Sequence, residues 1–162
     1  MIHRRRAILT LLGTGLAGLS ATARAAEDEE VDLRQVPGRI LDTANKAVAR
    51  ASWSGAYRYA EQGNTFYELE GKGPRGREIC VAVAQDGTLE EVETEIPVGD
   101  VPHAVMKAVG AKFQQFQASA AYEIRKDHGV QEYELDGRRP TDKDEVTIVV
   151  SADGRSVELD ED

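Results

Sequence analysis

The chain has little of the chemistry that enzymes and cofactor sites use. Its 162 residues include one cysteine, Cys80, and three histidines, His3, His103 and His128. A single cysteine excludes an internal disulfide, so folding must depend on buried apolar surface. Neither His103 nor His128 has a neighbouring nucleophile motif with a third, orienting group. We therefore expect no catalytic residues and no cofactor. The alternative is an enzyme of unfamiliar type that uses His103, His128 or Cys80.

Local sequence also gives Cys80 and His128 simpler roles. Cys80 alternates with Ile79 and Val81, which predicts an inert thiol on the more exposed side of a strand. His128 follows Lys126-Asp127 and precedes a glycine, the composition of a turn.

The acidic segments lack the spacing of a metal site. The stretches "DGRRPTDKDE" and "LDED" contain carboxylates, but not the glycine and ligand positions of a calcium loop. Their composition is typical of a solvated charge run, and we expect no metal ligands. Weak cation association through the acidic tail is the alternative.

Residues 1–25 have the three parts of a secretory signal peptide. Arg4, Arg5 and Arg6 give a positive start, an apolar run follows, and small residues at Ala23 and Ala25 suit signal peptidase. The apolar run is too short for a stable membrane span. The arginines also fit a twin-arginine signal, so Sec and Tat export both stay open. No cysteine stands directly after the predicted cleavage site, which argues against a lipid anchor. We expect a periplasmic or secreted protein.

The charge of the exported chain restricts its partners. Cleavage after Ala25 leaves 137 residues with 16 basic and 29 acidic side chains, a formal charge of −13. Such a surface repels phosphate backbones and anionic lipid headgroups. We therefore expect a protein partner rather than nucleic acid or a membrane; the oligomeric state stays open.

An internal repetition organises the rest of the chain. A shift of 65 residues aligns Val36-Pro37 with Val101-Pro102. A shift of 66 aligns "YELEGKG", from Tyr67, with "YELDGRR", from Tyr133, and a shift of 67 aligns "ICVAV" with "VTIVV". The order is kept and the offset grows only at loops, so we interpret the chain as a tandem duplication.

Each copy predicts one helix followed by four antiparallel strands. Apolar residues at steps of three and four indicate an amphipathic helix, after which the period changes to two. The predicted fold class is α+β, with two tandem repeats, each a helix packed on a four-stranded antiparallel sheet. The bounds are 1–25 for the signal, 26–35 for an acidic segment, 36–96 and 101–162 for the repeats, and 97–100 for the linker. The two sheets lie side by side or join edge to edge.

These motifs resemble the PepSY and PepSY-like group of exported bacterial domains. The matching features are the "VP" helix start, the "YEL[ED]G" strand and the apolar strand that leads to "DG". The tandem form is similar to the β-lactamase-inhibitor-like proteins. The resemblance implies an extracytoplasmic module, found in propeptides of secreted metalloproteases with a proposed inhibitory role, and it implies no catalytic residues.

The leading hypothesis is an exported, non-enzymatic binding module. Its sharper form is an inhibitor or regulator of a secreted or envelope hydrolase. A periplasmic structural or accessory protein with weak cation association is the alternative. We expect the partner to contact Trp53, Phe66, Arg138 and Arg139. Large aromatic residues anchor many interfaces, although Trp53 in the core and Phe66 against the other copy are the simpler placements.

Overall fold

Two helices and nine strands make up the part of the chain that the computed structural model describes, residues 29–127 and 129–160. The helices are α1 (Gly38–Ala47) and α2 (His103–Lys112). The strands are β1 (Glu29–Glu30), β2 (Ser52–Glu61), β3 (Asn64–Lys72), β4 (Glu78–Ala84), β5 (Leu89–Ile96), β6 (Gln117–Lys126), β7 (Gly129–Arg138), β8 (Val146–Ser151) and β9 (Val157–Asp160). The predicted signal peptide and His128 lie outside the described residues.

Both helices begin in the same way, at a proline that follows a short 3-10 turn. The turns are Leu33–Gln35 and Val98–Asp100, and Pro37 and Pro102 occupy the N-cap positions. Asp100 lies in the second of these 3-10 turns, and no side chain caps α2. Within the described residues, no helix has the length and apolarity that a membrane crossing needs.

The described strands form one antiparallel sheet in the order β1-β2-β3-β4-β5-β6-β7-β8-β9. The prediction of two repeats, each a helix on its own four-stranded sheet, is therefore wrong. The finding that overturns it is the pairing of β5 with β6, which aligns Val92 with Arg125 and Ile96 with Ala121. A separate sheet would leave the N–H and C=O groups of both strands at open edges, and this pairing satisfies them. The domain bounds at 36–96 and 101–162 stay predictions.

Both helices pack on the same face of this sheet. Ile40 and Ala44 of α1 are fully buried in one apolar cluster, and Val105 and Val109 of α2 are buried in a second. The first cluster includes Val92 and the second Ile96, four residues apart on β5 and hence on the same side. Leu69, Val81, Leu135 and Ile148 supply fully buried side chains from the strands. Burial of each such leucine or isoleucine contributes about 1.5–3 kcal/mol.

The strand that follows each helix presents a different face to the core than its alternation suggests. In β2 the buried residue is Ala56, and Arg58 lies on the same side, opposite Tyr67. Arg58 is charged, so alternation alone would place it on the solvent side of the sheet. Register shifts between Trp53 and Gly55, and between Ala118 and Ala120 in β6, accompany this arrangement. A bulge of this kind changes which side chains face the core, and the pattern of apolar residues does not reveal it.

Two glycines allow the close approach of strands beside these bulges. A Cβ built on Gly71 would overlap the carbonyl oxygen of Ser52 and lie 2.9 Å from the Cα of Trp53. A Cβ on Gly137 would overlap the carbonyl oxygen of Gln117 and lie 2.8 Å from the Cα of Ala118. The nearest atoms belong to the backbone, so a side chain at either position would displace a strand.

We expect Gly71→Ala and Gly137→Ala each to lower the free energy of unfolding by roughly 1–3 kcal/mol, the usual cost of inserting a methyl group into filled space. Urea unfolding followed by circular dichroism measures this change.

Gly110→Ala is the matched control, because no atom lies within 4 Å of the Cβ it would add. Gly110 lies in the last turn of α2, so the substitution should leave stability unchanged or raise it by up to about 0.5–1 kcal/mol. Equal urea midpoints for Gly71→Ala and the unchanged protein would contradict the close approach.

Candidate functional site

The face of the sheet opposite the helices, named here the open face, is the candidate site. Alternation and cross-strand register place on it the following side chains: Tyr57, Tyr59, Phe66, Glu68, Glu70, Cys80, Ala82, Glu91, Glu93, Tyr122, Ile124, Glu134, Asp136 and Val149. No helix among the described residues covers it, since α1 and α2 both pack on the other side. Because the sheet continues through β5 and β6, the open face is one surface.

Acidic side chains are buried on the open face. Glu91 is 8% exposed, Glu93 5%, Glu134 4% and Asp136 9%. Tyr122 and Ile124 beside them are also buried. Asp136 Oδ1 accepts a hydrogen bond of 2.9 Å from the Thr147 hydroxyl, and Glu91 forms an ion pair with Lys126 at 3.6 Å. Carboxylates in such surroundings interact strongly with nearby charge, because little water screens them.

Aromatic rings occupy one end of the open face. Tyr59 of β2 and Phe66 of β3 are cross-strand neighbours, and their rings stack at 5.4 Å between centroids with 23° between planes. Burial raises the pKa of Tyr59, and the negative charges of Glu68 and Glu91 raise it further. Burial raises the pKa of Tyr57 as well, with Glu70 as the largest charge contribution. Desolvation is the main cause of both shifts, and the neighbouring carboxylates add to it.

A small cavity of about 170 Å³ lies at the same end, where the β2–β3 turn meets β5 and β6. Its lining residues are Glu61, Gln62, Asn64, Phe66, Glu90, Glu91 and Lys126. Partial desolvation raises the pKa of Glu90, and repulsion from Asp86 and Asp127 adds to this effect. Three carboxylates and one ammonium group line the cavity, so its charge is negative.

The four residues predicted to contact a partner do not form one group. Phe66 lies on the open face beside the cavity. Trp53 packs against the α1 cluster and donates a 2.9 Å hydrogen bond from its indole N–H to Oδ1 of Asn45. Arg138 is exposed at the last position of β7, at the opposite end of the sheet from the Phe66 cavity. Their partner-binding role stays a prediction.

Arg139 lies in the loop after β7, where an ion pair holds it. Its guanidinium group donates to both carboxylate oxygens of Asp142, at 2.9 Å and 3.0 Å. This contact lowers the pKa of Asp142 below its usual range. The pair stabilises the local loop conformation.

In the part of the chain that is described, the structure does not bring together the reactive groups considered from the sequence, Cys80 and His103. Cys80 lies half-buried on the open face, in register with Glu70 and Glu93. His103 is exposed at the start of α2, on the other side of the sheet. Among the described residues, no group of three or more His, Cys, Asp or Glu side chains is arranged to hold a metal ion.

Sequence reasoning missed that tyrosines and carboxylates share the open face. Tyr57 and Tyr59 alternate as core residues would, and the register shift that moves them to the other side has no marker in the residue pattern. The available signal was Phe66, whose position beside the core residue Tyr67 placed it on the face opposite the core. The cross-strand register that places Tyr59 beside Phe66 is known only from the structure.

No family model matches the chain, and no curated protein sequence is similar to it. Solved structures nevertheless share its fold. A DUF2874 family protein from Bacteroides uniformis has a TM-score of 0.58 at 13% identity, over 76% of this chain and 88% of its own. A BLIP-like protein from Bacteroides fragilis has a TM-score of 0.55 at 16% identity, over 76% of this chain and 84% of its own.

A protein from Bacteroides eggerthii, described as periplasmic, has a TM-score of 0.57 at 15% identity, over 76% of this chain and 88% of its own. At these identities the likeness shows the fold alone, and the chain therefore has a BLIP-like fold. The resemblance to PepSY domains and the tandem duplication stay predictions.

We expect Tyr57 and Tyr59 to ionise above the usual tyrosine pKa of about 10, because burial and nearby carboxylates favour the neutral phenol. A pKa raised by folding leaves stability unchanged below about pH 10 and lowers it as the pH rises further. Tyrosinate absorbance measures the ionisation, and urea unfolding at several alkaline pH values measures the stability.

The Tyr59→Phe variant should remove the part of the titration at the highest pH and reduce the alkaline loss of stability. A variant that titrates and unfolds as the unchanged protein does would show that Tyr59 is not in the acidic surroundings described here.

Proposed function

We propose that the protein is an exported, non-enzymatic binding module that holds a protein partner on its open face. The observation that carries the proposal is the composition of that face. A continuous sheet presents aromatic, aliphatic and acidic side chains together, and no described helix lies over them. Aromatic anchors surrounded by polar groups are typical of protein interfaces.

The form of the sheet supports a large contact. Nine strands in the described residues give a surface that crosses the whole molecule, from Tyr57 on β2 to Val149 on β8. Specific interfaces need about 800 Å² from each partner, so a contact of that size would extend over several of these strands. A binding role needs no reactive group, in keeping with the separation of Cys80 from His103 across the sheet.

The comparisons and the N-terminal sequence support a location outside the cytoplasm. The Bacteroides eggerthii structure with the same fold is described as periplasmic, and the Bacteroides fragilis structure is BLIP-like. Residues 1–25 have the pattern of a signal peptide. Inhibition or regulation of a secreted or envelope hydrolase is the sharper form of the proposal.

Cys80 provides a direct test, because it is the only cysteine of the chain and lies on the open face. The protein without residues 1–25 retains every described element and is suitable bait for partners in an envelope extract. A bulky maleimide label on Cys80 should weaken capture at least about tenfold, since it fills the centre of the contact. Quantitative mass spectrometry of the captured proteins measures the change.

The control is a Cys80→Ser, Asp42→Cys variant labelled with the same reagent, because Asp42 is exposed on α1 on the other side of the sheet. Circular dichroism checks that both labelled proteins stay folded. Equal capture after labelling at either position, or no capture over a range of salt concentrations, would contradict the proposed function.

A further inference from the structure

The chemistry of the open face indicates what kind of partner it takes; this inference rests on the proposed function and specifies the partner. We propose that the open face binds a basic peptide segment, and that the cavity beside Phe66 receives one lysine or arginine side chain of that segment.

The first step is the charge of the open face. Acidic side chains on it by register include Glu68, Glu70, Glu91, Glu93, Glu95, Glu132, Glu134 and Asp136. Lysine and arginine side chains are fewer there: Lys72 forms an ion pair with Glu78, Lys126 stands next to Glu91, and Arg138 lies at the far end of β7. A surface with this balance attracts cationic partners over distances of a Debye length and repels anionic ones.

The second step is the combination of a ring with carboxylates in the cavity. The Phe66 ring, backed by Tyr59 at 5.4 Å, forms one wall, and Glu61, Glu90 and Glu91 stand around it. Ammonium and guanidinium groups bind the face of an aromatic ring, and carboxylates add to the attraction when little water separates the charges. Lys126 Nζ already lies 3.6 Å from Oε2 of Glu91, which shows an ammonium group in these surroundings.

The third step separates a basic side chain from a metal ion. Calcium takes six to eight oxygen ligands that converge on one point, and an aromatic wall contributes none. The cavity, about 170 Å³ in volume, is open at one side, which suits the end of a long side chain entering from a partner. A lysine or arginine side chain buries its methylene groups against the ring while its charge reaches the carboxylates.

Nuclear magnetic resonance titration of the ¹⁵N-labelled protein without residues 1–25 tests the proposal. The probe is a capped peptide of alternating glycine and arginine, and the matched peptide replaces each arginine with glutamate. The arginine peptide should shift the amide resonances of Glu61, Phe66 and Glu91, and binding should weaken as salt increases. The glutamate peptide should shift none of them.

Variants then separate the ring from general apolar contact. Phe66→Leu keeps an apolar side chain but removes the π system, and it should weaken arginine-peptide binding roughly fivefold. Glu61→Gln should weaken it roughly threefold. Asp42→Asn, which removes a charge from the helix side, should leave the affinity unchanged.

Three results would overturn the proposal: equal binding of both peptides, an unchanged affinity in Phe66→Leu and Glu61→Gln, or calcium chloride shifting the same resonances when the arginine peptide does not. If the arginine peptide fails while labelling of Cys80 still blocks capture of a partner, the open face binds a partner that is not basic. If both experiments fail, the proposed function fails with it.

Discussion

The pairing of β5 with β6 is the contact on which the rest of the structure depends. Each strand would otherwise end a small sheet with a row of unpaired backbone groups, which is both costly and prone to association. Through the alignment of Val92 to Ile96 with Ala121 to Arg125, the two groups of strands share one ladder. The same contact places α1 and α2 on one side of the sheet and leaves the other side as an unbroken surface.

The buried side chains on the two sides of the sheet differ in kind and in what they contribute to stability. On the helix side, fully buried residues such as Leu69, Leu135 and Ile148 stabilise the fold by removing apolar surface from water. On the open face, carboxylates such as Glu93 and Glu134 are buried beside Tyr122 and Ile124. Buried charge contributes less to stability than well-packed apolar side chains do. The binding role proposed above rests on this composition of the open face.

Much of the core could be predicted from the sequence, because burial follows periodicity. The steps from Val36 through Ile40 and Ala44 identify the buried side of α1, and alternation identifies Val81 and Ile148 in the strands. Periodicity describes one element at a time, however, and does not say which strand is its neighbour. The joining of β5 to β6, and the bulges that bring Tyr57 and Tyr59 to the open face, depend on tertiary contacts and were not predictable.

The central claim is that one sheet continues through β5 and β6 and creates a single open face. Nuclear Overhauser contacts between the backbone protons of Glu93 and Ile124, and of Glu95 and Tyr122, measure this pairing directly. The account predicts these contacts, together with slow exchange of the amide protons between the two strands. Absence of the contacts, with β5 amides exchanging as rapidly as those of an open edge, would contradict it.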